Sequence, residues 1–224
     1  MDPEKQRTAI RTSQSLQILA SQVDEQNEGR YRILDGTYIR YAKILSGTFD
    51  EDTMCWPNLL LSSLPALPEG TWKSIETSRK EDGSLKLETN SDPLEEVKGL
   101  WHPTHVDIFS LPAGKRLKTN VYETIHEGQR AILKFAKFPW EIYRIQWETW
   151  AYREIESEIS PQDRPLAPSF LGHVHENGRV IGFLLEIVGG APATIVDLEL
   201  CESSSGGCTT WASDMVIHVV TTFW

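Results

Sequence analysis

The sequence predicts an α+β chain: a β-rich N-terminal region, then a five-stranded antiparallel sheet carrying one helix. Three observations predict it. Short β-prone runs separated by Asp-Gly, Glu-Gly and Asn-Gly turns recur from Tyr31 onward. A single long helical stretch, Trp140 to Glu158, interrupts them. Two further β-prone runs then close the series around Asn177-Gly178.

In chain order, residues 1–30 are polar and Gln/Ser-rich and read as a flexible segment or a frayed helix using Ile10, Leu16 and Leu19. Residues 31–104 read as an extension. Its first hairpin turns at Asp35-Gly36 and its second around Glu81-Asp82-Gly83-Ser84, with the apolar stretch Trp56 to Pro68 as a buried, irregular connector. The polar run Thr89 to Lys98 is a loop, and the boundary is expected near Trp101-His102-Pro103. Residues 105–200 hold the strands Val106 to Leu111, Asn120 to Ile125, Arg130 to Phe135, Phe170 to His175 and Val180 to Ile187, with the helix after the third. Residues 201–224 read as an aberrant or disordered tail.

Composition narrows the function classes. With 224 residues and 40% apolar content the chain is long enough for a sizeable core. A net charge of -10 opposes general nucleic-acid binding and attraction to anionic lipid, both of which need a basic field. Three cysteines, Cys55, Cys201 and Cys208, match no paired metal spacing and no disulfide framework. The first thirty residues lack the apolar core of a signal peptide, and no apolar run approaches the ~20 residues of a bilayer span. A cytoplasmic protein without a membrane or nucleic-acid partner is the expectation.

Lys134 lies mid-strand among Ala131, Ile132, Leu133, Phe135 and Ala136, where an ammonium is costly unless it is paired or directed at a ligand. The competing reading is an edge-strand lysine pointing to solvent. At 3.6 residues per turn, Ile145, Glu148, Tyr152 and Ile155 share a helix face, with Ala151 beside them. Glu148 is therefore the carboxylate set in the inward apolar face, available either to Lys134 or to a nearby arginine. His173 and His175 alternate on one strand and share a face, compatible with two metal ligands, but no third ligand is suitably spaced and the turn-flanking pair reads as structural. No metal site, Ser-His-Asp pattern or glycosidase carboxylate pair is readable.

The order of these parts, strand with lysine, helix with glutamate, hairpin and hinge, resembles the N-lobe of the protein-kinase-like fold, in the branch of the aminoglycoside and choline phosphotransferases. The closer resemblance is to fungal kinase-like proteins of unknown substrate, some of them automatically named alpha-galactosidase. It is carried by Thr119 to Glu123, Lys134, Ala136 to Ile142, Glu148 to Tyr152, Phe170 to His173 and Gly178 to Glu186. Thr48-Phe49-Asp50 and Trp101-His102-Pro103 extend it upstream. The resemblance implies that Lys134 touches the phosphates of ATP, that Glu148 anchors it, and that Leu185 to Val188, including Glu186, Ile187 and Val188, form the hinge receiving the adenine. The glycine-rich phosphate cover is represented only by Gly114.

Kinase-like catalysis also requires a catalytic aspartate, an asparagine five residues on and a metal-binding aspartate, and none follows Glu186. The resemblance includes Asp197-Leu198-Glu199 and ends at Ser203. A frame-shifted reading of the tail forces glycine at Trp211-Ala212 and at Met215-Val216, forces leucine at Phe223-Trp224, and from Gly207 permits a His-Gly-Asp loop. The expectation is a catalytically inactive fragment of a phosphotransferase-like protein, its tail an out-of-frame catalytic loop. The alternative tail is genuine, with Met215 to Trp224 as a β-prone edge. The alternative function is a non-catalytic module that binds nucleotide, or a protein partner through the surface a C-lobe would cover.

Overall fold

A computed structural model describes residues 16–158 and 168–189. Residues 1–15, Asp197-Leu198-Glu199, Cys201, Cys208 and the tail lie outside the described residues. The chain divides into two compact units between Leu94 and Glu95. The fold is α+β with two mixed sheets, one five-stranded and one six-stranded. No described helix is long and apolar enough to cross a membrane.

The first unit orders its strands β1 (Leu16–Val23), β2 (Gly29–Asp35), β3 (Tyr38–Ile44), β4 (Ser74–Arg79) and β5 (Leu85–Asn90) side by side. All neighbours are antiparallel except β3 and β4, whose crossover carries α1 (Glu51–Cys55) and α2 (Pro57–Ser63). The β2–β3 hairpin forms as expected, with Gly36 at φ 63° and Asp35 opposite Tyr38. The β4–β5 turn is held by Asp82, which accepts from the Ser84 N–H at 2.9 Å, with Gly83 at φ 83°.

Three expectations change in this unit. Leu16 to Val23 is a strand, not a flexible segment or helix, because β2 offers an open edge and Leu16, Ile18 and Val23 pack against the core. The Trp56 to Pro68 connector is partly helical. Pro57 begins α2, where its missing N–H costs nothing, and only Leu60 and Leu67 are buried while Trp56 is exposed. Asp35 does more than shape a turn: its carboxylate accepts from Arg40 Nε at 2.8 Å, and the Arg40 guanidinium covers the Trp72 ring at 4.1 Å.

The second unit contains β6 (His105–Asp107), β7 (Arg116–Lys118), β8 (Val121–His126), β9 (Gln129–Phe135), α3 (Ile142–Glu158), β10 (Phe170–Glu176) and β11 (Arg179–Glu186). The sheet order is β6-β10-β11-β9-β8-β7, with β6 parallel to β10 and the other pairs antiparallel. The expected five-stranded antiparallel sheet is thus six-stranded and mixed. Val106 to Leu111 does not continue as a strand, because Asp107 caps the Phe109 N–H at 2.8 Å and starts a 3-10 turn over Ile108–Ser110. The short strand β7 was not expected.

The two hairpin turns match their sequence signals. Glu127 and Gly128 (φ 50° and 79°) join β8 to β9, and Asn177 and Gly178 (φ 48° and 82°) join β10 to β11. The unit begins upstream of the expected boundary at 104/105. Val97 is buried in its core and donates to the Val180 carbonyl at 2.9 Å, while Gln146 of α3 bonds the backbone of Lys98 on both sides.

Candidate functional site

β9 lies inside the sheet, with Val121 of β8 and Phe183 of β11 directly beside Lys134. That placement rules out the edge-strand alternative. The Lys134 side chain is 9% exposed and its Nζ lies 2.5 Å from Glu148 Oε2, whose side chain is 17% exposed. Of the two partners open to Glu148 in the sequence, the structure selects the lysine. A charge-assisted bond of this kind fixes the ammonium, and the carboxylate is the more exposed member of the pair.

Four local features place the pair. Pro139 and the Glu141 carboxylate, which accepts the N–H groups of Lys137 (2.8 Å) and Phe138 (3.0 Å), turn the chain from β9 into α3. Asn120, at φ 63° between β7 and β8, donates to Glu141 Oε1 at 2.8 Å and so ties that hairpin to the same turn. Ile145, Ala151 and Tyr152 bury the helix against the sheet, as the spacing predicts, whereas Ile155 of the predicted face is only half-buried; Ile142 and Thr149 are buried in addition. Gly182 lets β11 approach β9 next to Lys134, since a Cβ there would lie 2.4 Å from the Lys134 carbonyl oxygen.

The other candidate residues are distributed unevenly. Glu186 is opposite Ala131 in an unbroken register, so strand alternation directs its side chain to the sheet face away from Lys134. Its carboxylate accepts from Ser169 Oγ at 2.7 Å and its N–H donates to the Ser169 carbonyl at 2.9 Å. Ile187 is half-buried and Val188 exposed, just past the strand end. Ala131 precedes Lys134 by three residues, so about 10 Å of strand separates the hinge from the lysine. Gly114 is in no turn. It lies flat on β8, with no room for a Cβ beside the Glu123 carbonyl, and the β7–β8 turn is made by Thr119 and Asn120.

Tyr152 was missed as a site component, and His173 is structural, as the sequence reading of the His pair has it. Tyr152 stands one turn beyond Glu148, 2% exposed, with a hydroxyl that has no hydrogen-bond partner among the described residues. Burial first and the Glu148 charge second push its phenol upward, so it stays protonated and can only be a neutral donor or acceptor. Its i+4 spacing from Glu148 was the available signal. His173, fully buried, accepts at Nε2 from the N–H groups of Trp101 and His102, both at 3.3 Å, and so pins the segment before β6 to β10. A register shift separates Val174 from His175, and no group of three potential ligands that could hold a metal occurs among the described residues.

The His173 arrangement makes the second unit acid-sensitive. Burial first, then the neighbouring His105 and His102 rings, lower its pKa to about 4 from the ordinary 6.5. Only the neutral ring can accept at Nε2, so the unfolded chain binds the proton more readily than the folded one. The contribution is fully present above pH 6.5 and is lost as pH drops toward 4, the loss approaching roughly 3 kcal/mol. Urea unfolding between pH 7 and 4 should show a steeper loss for the parent protein than for His173→Gln. Identical slopes would remove His173 as a cause.

No family model, curated protein or solved structure matches this chain.

Proposed function

We propose that the second unit is a kinase-like, nucleotide-binding lobe that engages ATP without turning it over. The observation that carries this reading is the Lys134–Glu148 pair, a cation held on an interior strand by a carboxylate from α3. Phosphoryl-transfer proteins use such a strand lysine and helix glutamate to hold nucleotide phosphates. Glu148 orients the ammonium, and a nucleotide phosphate would have to share that cation with it. The backbone of Ile187 and Val188 would receive the base, because the Glu186 N–H is already given to Ser169. A nucleoside polyphosphate lying along β9 can bridge the two. Turnover is not expected, because these 224 residues contain no His-Gly-Asp or His-Arg-Asp triplet to supply the base.

The test is ligand-linked stability. ATP at 100 times its dissociation constant should stabilise the second unit by about 2.7 kcal/mol in urea unfolding, and Lys134→Met should abolish the increment. Magnesium-dependent release of phosphate should stay at the level of a protein-free control. An ATP effect that survives Lys134→Met, or none at all in the parent protein, would remove this reading.

A further inference from the structure

The outward face of α3 has no role in the site above and is unusually aromatic. Tyr143, Trp147 and Trp150 are 56%, 58% and 38% exposed, with Trp140 just ahead of the helix at 42%. From Tyr143 the spacing runs four, three and four residues, through Trp147 and Trp150 to Glu154. Alternating steps of three and four are the seam of one helix packing along another. Isolated exposed aromatics need no explanation, whereas a continuous stripe of Trp and Tyr flanked by Arg144 and Arg153 has the composition of a binding hot spot.

We infer that this stripe is a homodimer seam in which α3 of one copy packs antiparallel on α3 of a second copy. The face carries its own complement. An antiparallel pair centred between Trp147 and Trp150 sets Trp147 of each copy against Trp150 of the other and Tyr143 against Glu154. The Tyr143 hydroxyl already accepts from Arg144 Nε at 2.9 Å, so its proton can go to Glu154 Oε2, Oε1 being held by Arg153 of the same copy. A parallel pair would instead bring the two Glu154 side chains, each bonded by its own Arg153 at 2.9 Å, together within an apolar seam and would leave the Tyr143 protons without a carboxylate.

The aromatics supply most of the area that such a seam needs. The exposed parts of the four aromatics come to about 400 Å² per copy. Twice that is about 800 Å², two thirds of the ~1,200 Å² lower end of stable interfaces, and Arg144, Arg153 and the other flanking side chains have to supply the rest. Because each copy has a net charge of -10, added salt should preserve or strengthen the dimer by screening.

Sedimentation equilibrium of the full chain over a concentration series should show reversible monomer–dimer association. The exposed-site variant W147E should raise the dissociation constant by about 30-fold or more without moving the urea midpoint of the monomer. With Cys55, Cys201 and Cys208 changed to serine, Tyr143→Cys combined with Glu154→Cys should form a disulfide-linked dimer, and Glu154→Cys alone should not. A parent protein that stays monomeric throughout, a dimer unaffected by W147E, or cross-linking through Glu154→Cys alone would each overturn the inference.

Discussion

Glu148→Ala should destabilise the second unit by about 3 kcal/mol, because it strands the Lys134 ammonium on an interior strand. Lys134→Met should cost a similar amount by leaving the carboxylate without its cation. The double variant Lys134→Met/Glu148→Met should recover most of the loss, since apolar side chains of comparable volume suit the surroundings of Val121 and Phe183. Urea unfolding monitored by tryptophan fluorescence measures all three. The informative quantity is the coupling: single-variant losses that simply add in the double variant would mean that the two side chains act independently. The ATP-linked increment should vanish in all three variants, including a double variant that is itself stable. That separates the fold's need for the pair from the ligand's.

Gly182→Ala should be about as damaging, by roughly 3 kcal/mol, through sterics instead of charge. Its Cβ would lie 2.4 Å from the Lys134 carbonyl oxygen and 2.8 Å from the Phe135 Cα, backbone atoms of an interior strand that cannot swing aside. Gly172→Ala is the internal comparison. Its Cβ would meet Thr104 Cγ2 and the Thr104 carbonyl oxygen at 3.0 Å, contacts relieved by small shifts of a chain segment at the sheet margin, so it should cost distinctly less. Nucleotide affinity should fall in the Gly182 variant wherever it still folds, since the forced separation moves the strand that carries Lys134. A Gly182→Ala protein as stable as the parent would contradict the β9–β11 register.

Much of this architecture was legible locally. The Glu127-Gly128 and Asn177-Gly178 turns, the strand around Lys134 and the inward helix face all follow from short-range rules: positive φ at the turns, period two in strands and 3.6 in helices. The failures were those of long-range pairing. Leu16 to Val23 lacks the look of a strand until β2 supplies an edge, and β6 joins β10 as a parallel neighbour from far along the chain. Three-residue β7 is too short for a periodic signal.

The site divides along the same line. From sequence alone came the lysine, the glutamate and the helical phase that turns the glutamate inward. Only the tertiary structure decided that β9 is an interior strand, which joined the two charges and excluded a solvent-facing lysine. Register then set the Glu186 side chain on the opposite face, and Gly114 went to a flat strand contact instead of a phosphate turn. Helix phase is a property of neighbouring residues, whereas partnership between a strand and a helix depends on which distant strands close around them. That closure is governed by burial and backbone hydrogen bonding across the whole sheet, and no single segment encodes it.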